Sequence, residues 1–134
     1  MDRKHESADK FVIALYGKEG CAKCKSLLGR VSAILKQDRY QVFSLRYFDL
    51  STRAGLVAMA LGETVNGQRL PTLQIMRKTA EGLEKIRDPR REESRKDRLF
   101  VPVYLQLETD YSDPARSVIK PAEVEELMNI ALSC

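Results

Sequence analysis

Phe11-Val12-Ile13-Ala14-Leu15-Tyr16-Gly17-Lys18-Glu19-Gly20-Cys21-Ala22-Lys23-Cys24 is the stretch on which the fold turns. Its first six residues form a short apolar run closed by Gly17 and Gly20, which suits a strand buried on both faces better than an amphipathic helix. From Cys24 onward Leu27, Leu28, Val31, Ile34 and Leu35 recur at three- and four-residue steps, so Ala22 to Lys36 reads as a helix with one buried face. The pair Cys21 and Cys24 therefore falls where a strand hands over to a helix. Cys21 is expected at the exposed helix N-terminus and Cys24 one turn further in.

Working outward, Val42 to Phe48 is rich in strand formers and ends at Asp49. Ser51 or Thr52 can cap a following helix that runs through Leu56, Met59, Ala60 and Leu61, with Gly62 placed to stop it. Strand, helix, strand implies a parallel pair joined by a helical crossover. Asn66-Gly67 makes a turn, and Pro71 opens a further strand over Thr72 to Met76, at a position where a missing N–H is tolerated. Two segments compete to pair with it: Gly82 to Ile86, as a hairpin return, and Leu99 to Leu107, the stronger strand by composition and the one favoured here. Arg87 to Arg98 lacks apolar periodicity and reads as an exposed charged insertion. After a polar loop, Pro121 leads into a C-terminal helix over 121–133 through Val124, Leu127, Met128 and Leu132. The expected architecture is α/β: a central mixed four-stranded β-sheet flanked by helices, in a single domain over 1–134 with 1–9 as a flexible N-terminus.

The dithiol supplies the chemistry. Unpaired amide N–H groups at a helix start favour a thiolate, and Lys18, Lys23 and Lys25 flank the pair. Thiols in such places ionise well below the ordinary value of about 8.5, at roughly 3.5 to 7.5. Cys21 would attack a substrate disulfide, and Cys24 would resolve the mixed disulfide by attacking the Cys21 sulfur. The redox centre is then the Cys21–Cys24 disulfide itself, with no added cofactor.

Three cysteines, two of them paired closely in sequence, do not form the dispersed even set that staples small secreted domains. The charged start has no apolar stretch behind it, and no run approaches the eighteen apolar residues of a membrane span. These features make the cytoplasm the expected compartment, with no membrane association expected. A net charge of +4 invites a nucleic-acid reading, but Arg87 to Arg98 contains no aromatic for stacking and carries Asp88, Glu92, Glu93 and Asp97. No nucleic-acid partner is expected. A metal alternative would use Cys21, Cys24, Cys134 and His5 as a tetrahedral set, which requires both termini to converge on the helix start. Taken separately, Cys134 reads as a free thiol on a terminus and His5 as a solvated tail residue.

Tyr16 to Cys24 together with Arg69-Leu70-Pro71-Thr72 resembles the thioredoxin superfamily, particularly its glutaredoxin-like branch, over about Lys10 to Met76. The resemblance implies a thioredoxin-like fold, a cis Pro71 facing the dithiol, and a Leu70 backbone that pairs with an extended substrate. It also implies substrate-binding roles for Lys18, towards a glutathione carboxylate, and for Tyr16 at the strand end, and Lys23 would modulate the thiol. Thioredoxin's tryptophan before the first cysteine and its proline inside the motif are absent, and Leu15 stands where that branch has an acid. Of the Gly-Gly and acidic residue that complete the glutathione site in glutaredoxins, only Gly82 and Glu84 stand here, so the resemblance leaves the electron donor open. The implied activity is thiol–disulfide oxidoreduction on a protein or small-molecule disulfide, with an unidentified thiol reductant or reductase as partner. A non-catalytic redox sensor or adaptor and a metal-binding Cys-x-x-Cys protein stay open as alternatives.

Overall fold

The computed structural model describes residues 10–62, 65–90 and 104–134. Its strands and helices run in the order β1 (Phe11–Gly17), α1 (Ala22–Ile34), β2 (Phe43–Asp49), α2 (Arg53–Leu61), β3 (Thr72–Thr79), β4 (Gly82–Lys85), β5 (Gln106–Glu108) and α3 (Pro121–Ser133). The expectations for residues 1–9, for Arg91 to Arg98 of the charged insertion and for the start of the Leu99 to Leu107 strand lie outside the described residues.

β1 is central and fully buried, as its unbroken apolar run requires. It pairs in parallel with β2, with Ile13 opposite Leu45, and antiparallel with β3, with Ile13 opposite Ile75. The sheet is therefore open and mixed. On one face Phe11, Ile13, Leu15, Leu73 and Ile75 meet Leu27, Val31 and Ile34 of α1 and Val124, Leu127, Met128 and Ala131 of α3. The i, i+3, i+4 spacing of those helical residues is what lets both helices lie on this face, and full burial of each such side chain contributes about 1.5–3 kcal/mol. Cys24, one turn before Leu27, is buried instead in a second cluster with Ala14, Tyr16, Leu70 and Met76.

The edge of β3 departs from expectation. Both candidate segments pair with it, so the sheet has five strands rather than four. β4 folds back in a hairpin and takes the far half of the edge, with Thr79 opposite Gly82 and Met76 opposite Lys85. β5 takes the near half, with Thr72 opposite Glu108 and Gln74 opposite Gln106. The physical reason is length: β3 has eight residues, and a four-residue return strand leaves its first residues without a partner on that side. Leu105 joins the two pieces, donating to Ile86 at 2.9 Å and accepting from Ile75 at 3.0 Å. β4 and β5 thus share one edge of β3, and β5 lies opposite the residues that follow Pro71.

α2 is capped by Thr52, whose hydroxyl accepts from the Gly55 N–H at 3.0 Å, and ends at Gly62. Leu56, Val57 and Leu61 do not face the sheet; they are 50%, 54% and 68% exposed. The helix docks instead through Gly55, Ala58 and Met59, because Gly55 lies directly on the Asp49 carbonyl, where any Cβ would collide with backbone. At the other end of the chain, the Glu123 carboxylate accepts from the Lys120 N–H at 2.9 Å and starts α3 behind Pro121.

Candidate functional site

Cys21 and Cys24 are joined in a disulfide with their Cα atoms 5.2 Å apart. Cys21 is the N-cap of α1: its backbone is extended and its Sγ accepts from the Cys24 N–H at 3.1 Å. Its carbonyl already accepts the first helical bond, from Lys25 at 3.2 Å. Cys21 is half-buried whereas Cys24 is wholly buried. The two cysteines are therefore inequivalent, one partly exposed with its sulfur accepting a helix N–H and the other closed to solvent.

Glycine at position 17 makes this packing possible. A Cβ there would collide with the Tyr47 phenol oxygen and stand 3.0 Å from the Cys24 Cβ, so the end of β1 can pass beneath the buried cysteine only without a side chain.

Tyr16 lies in the buried layer with Ala14, Cys24, Leu70 and Met76, 1% exposed and stacked on Phe48 at 5.4 Å. Burial pushes its phenol up to about 12. The ring packs in the cluster that holds Cys24 and is closed to solvent. Lys18 contributes its carbonyl, which accepts from the Cys21 N–H at 3.4 Å, while its side chain is exposed. Lys23 points away to the 110–120 loop. Its Nζ donates to the Ser117 carbonyl at 2.7 Å and stands 4.7 Å from the centre of the Tyr111 ring.

The Leu70–Pro71 peptide bond is cis, and both residues are buried. Leu70 packs in the cluster that holds Cys24, with Cys21 against it. Thr109, immediately after β5 and wholly buried, clamps this segment: its hydroxyl donates to the Pro71 carbonyl at 2.9 Å and its N–H to the Arg69 carbonyl at 3.2 Å. The Leu70 carbonyl between them accepts from the Tyr111 phenol at 2.5 Å. Arg69 adds an ion pair to Glu108 at 2.8 Å and a longer one to Asp110 at 3.8 Å. The Ser112 hydroxyl and N–H, with Arg69 and Arg116 nearby, hold the Asp110 carboxyl below the usual carboxylate range.

The structure thus brings Cys21, Cys24, Tyr16 and Leu70 into one cluster, follows Leu70 with a cis Pro71, and attaches Lys23 to the 110–120 loop. Thr109, Tyr111 and Ser117 escape a reading of the sequence, since they fall in a stretch without periodicity and act through backbone carbonyls. The one available cue is the aromatic Tyr111 among polar loop residues. Among the described residues no group of three or more His, Cys, Asp and Glu could hold a metal ion, and His5 of the tetrahedral alternative lies outside them. Among the same residues no helix is long and apolar enough to cross a membrane. Compared with family models, curated proteins and solved structures, the chain finds no match. Fold and site together define an open mixed α/β sheet that carries a Cys-x-x-Cys disulfide at a helix N-cap.

Proposed function

We propose that this protein is a thiol–disulfide oxidoreductase with a thioredoxin-like fold, in which Cys21 attacks and Cys24 resolves. The observation that carries the reading is the inequivalence of the two sulfurs: Cys21 half-buried at the helix N-cap and accepting an N–H, Cys24 wholly buried and bonded to it. In the reduced protein the same N–H and the positive end of α1 stabilise a Cys21 thiolate. That thiolate attacks one sulfur of a substrate disulfide, the substrate S–S bond breaks, and the departing sulfur takes a proton from solvent. The Cys24 thiol then loses its proton and attacks the Cys21 sulfur, releasing the second substrate thiol and leaving the disulfide described here. Each cycle oxidises one dithiol and reduces one substrate disulfide. A thiol reductant returns the pair to the dithiol, which suits a reducing compartment such as the cytoplasm.

Burial of Cys24 gives the exchange its direction, because an external thiol or disulfide meets Cys21 first. The test is turnover of a model disulfide with dithiothreitol as reductant. Wild type is expected to turn over, Cys21→Ser to be inactive, and Cys24→Ser to accumulate a mixed disulfide on Cys21. Equal turnover in wild type and Cys21→Ser refutes the reading.

One observation favours a second reading, a redox sensor or adaptor: Leu56, Val57 and Leu61 form an exposed apolar row on α2, whose docked face packs in the cluster that contains Cys24. That reading requires partner affinity to differ between the oxidised and reduced protein, and equal affinities remove it.

A further inference from the structure

A substrate that presents a disulfide to Cys21 lays its flanking atoms against whatever surrounds that residue, and here Cys21 packs against the buried cluster that contains Leu70. An extended polypeptide gains affinity from main-chain hydrogen bonds to such a segment. Thr109 already occupies the Arg69 and Pro71 carbonyls. The Leu70 carbonyl is the remaining acceptor of the three, and the Tyr111 phenol holds it at 2.5 Å. Leu70 is 3% exposed, while Tyr111 is 55% exposed. The acceptor is thus covered by a side chain that itself lies at the surface.

The cover is anchored from within the dithiol motif. Lys23, between the two cysteines in sequence, places its ammonium 4.7 Å from the Tyr111 ring centre and donates to the Ser117 carbonyl six residues further along the loop. The Asp110 N–H donates to the Arg116 carbonyl at 2.9 Å and closes the loop at its base. Bonds to Leu70, Lys23 and the loop's own backbone therefore all fix Tyr111 in one place.

We infer that Tyr111 is a specificity-determining residue: its phenol, held over the Leu70 carbonyl by Lys23, denies that acceptor to extended polypeptides and leaves Cys21 selective for small disulfides. A small disulfide needs only the sulfur, and no main-chain pairing. A polypeptide must first displace the phenol, at the expense of one hydrogen bond, which corresponds to about a two- to tenfold loss in rate. This inference rests on the proposed role of Cys21 as the attacking thiol.

The test uses the full chain with Cys24→Ser and Cys134→Ser, so that Cys21 is the reacting thiol and exchange stops at the mixed disulfide. Two probes are compared, the thionitrobenzoate mixed disulfides of 2-mercaptoethanol and of an unstructured peptide carrying one cysteine, with release of thionitrobenzoate as the signal. Tyr111→Phe keeps the ring on Lys23 and removes the hydroxyl. It is expected to raise the ratio of peptide rate to small-disulfide rate about two- to tenfold. Lys23→Met is expected to raise the same ratio, and the double variant not to multiply the two effects, because both act through one contact. An unchanged ratio in Tyr111→Phe overturns the inference. A change in Tyr111→Phe with none in Lys23→Met overturns the part given to Lys23. Failure of the wild type to turn over, with exchange and the ratio change intact, counts against the oxidoreductase reading alone. A Cys21 silent to both probes removes both.

Discussion

Thr109→Val tests how the cis-proline segment is held at the start of β3. Valine has the shape of threonine without the hydroxyl, so the substitution removes the 2.9 Å bond to the Pro71 carbonyl while preserving volume in a wholly buried position. A buried acceptor stripped of its donor costs about 1–3 kcal/mol, and the added methyl returns less than about 1 kcal/mol, which leaves a net loss of about 1–2 kcal/mol. The Thr109 N–H still reaches the Arg69 carbonyl at 3.2 Å, so the chain path is expected to survive and the effect to remain an energetic one. Urea unfolding of the oxidised protein measures it: with a denaturant slope of about 2 kcal/mol/M, the midpoint should fall by about 0.5–1 M with the slope unchanged. A midpoint within about 0.1 M of wild type means that the Pro71 carbonyl does not depend on Thr109, and the clamp assigned to that residue is then wrong.

Three further outcomes follow from other contacts. The Tyr16 phenol is raised from 10.0 to about 12, so between those values the folded protein keeps a proton that the unfolded chain has lost. Stability is therefore intact below pH 10 and declines as pH rises towards 12, by about 2–3 kcal/mol, and the same alkaline urea series on Tyr16→Phe should show a decline smaller by that amount. Tyr40→Phe removes the one hydroxyl proton that Glu125 and Asn129, each with an oxygen at 3.2 Å, can accept, and is expected to lower stability by about 1 kcal/mol; no measurable change counts against that contact as a tie between α3 and the Asp38–Tyr40 turn. Gly17→Ala drives a methyl between the Tyr47 phenol and Cys24 and is expected to cost about 1–3 kcal/mol, whereas Gly29→Ala, at an open helical position, should be neutral or stabilising; equal effects of the two on thermal unfolding contradict the close packing beneath the disulfide.

The parts of this molecule legible in its sequence are those governed by local period. β1 and α1 show in the change from an unbroken apolar run at Phe11–Tyr16 to the three- and four-residue steps of Leu27, Val31 and Ile34, and the position of the dithiol between them follows from that change. The α3 boundaries show in Pro121 and the apolar stripe behind it. The division of β3's edge between β4 and β5 is not local: Gly82–Lys85 and Gln106–Glu108 each look like a possible partner, and only the length of β3 decides that there is room for both. The outward orientation of Leu56, Val57 and Leu61 is hidden for a similar reason, since the docking face of α2 is chosen by the Gly55 contact with Asp49 and not by the count of apolar residues. Tyr16 illustrates the same limit at the site, because a strand-end aromatic reads equally as a substrate platform or as a buried floor.

The interrupted edge of the sheet ties these features to the chemistry. Because β5 resumes on the near half of β3, the chain leaves the sheet at Glu108 opposite Thr72, one residue after Pro71. Thr109 and Tyr111 then fall naturally on the carbonyls of residues 69 to 71, and the loop beyond them reaches Lys23 in the first turn of α1. A sheet closed by β4 alone would give β3 no reason to be followed at that end by a covering loop. The dithiol sits at the junction of β1 and α1, and on the inference drawn above access to it is set by a segment that follows β5. On the proposed reading, substitutions at Cys21 should abolish exchange with every disulfide, while substitutions at Tyr111 should change which disulfides are preferred, with Lys23 joining the two parts of the chain.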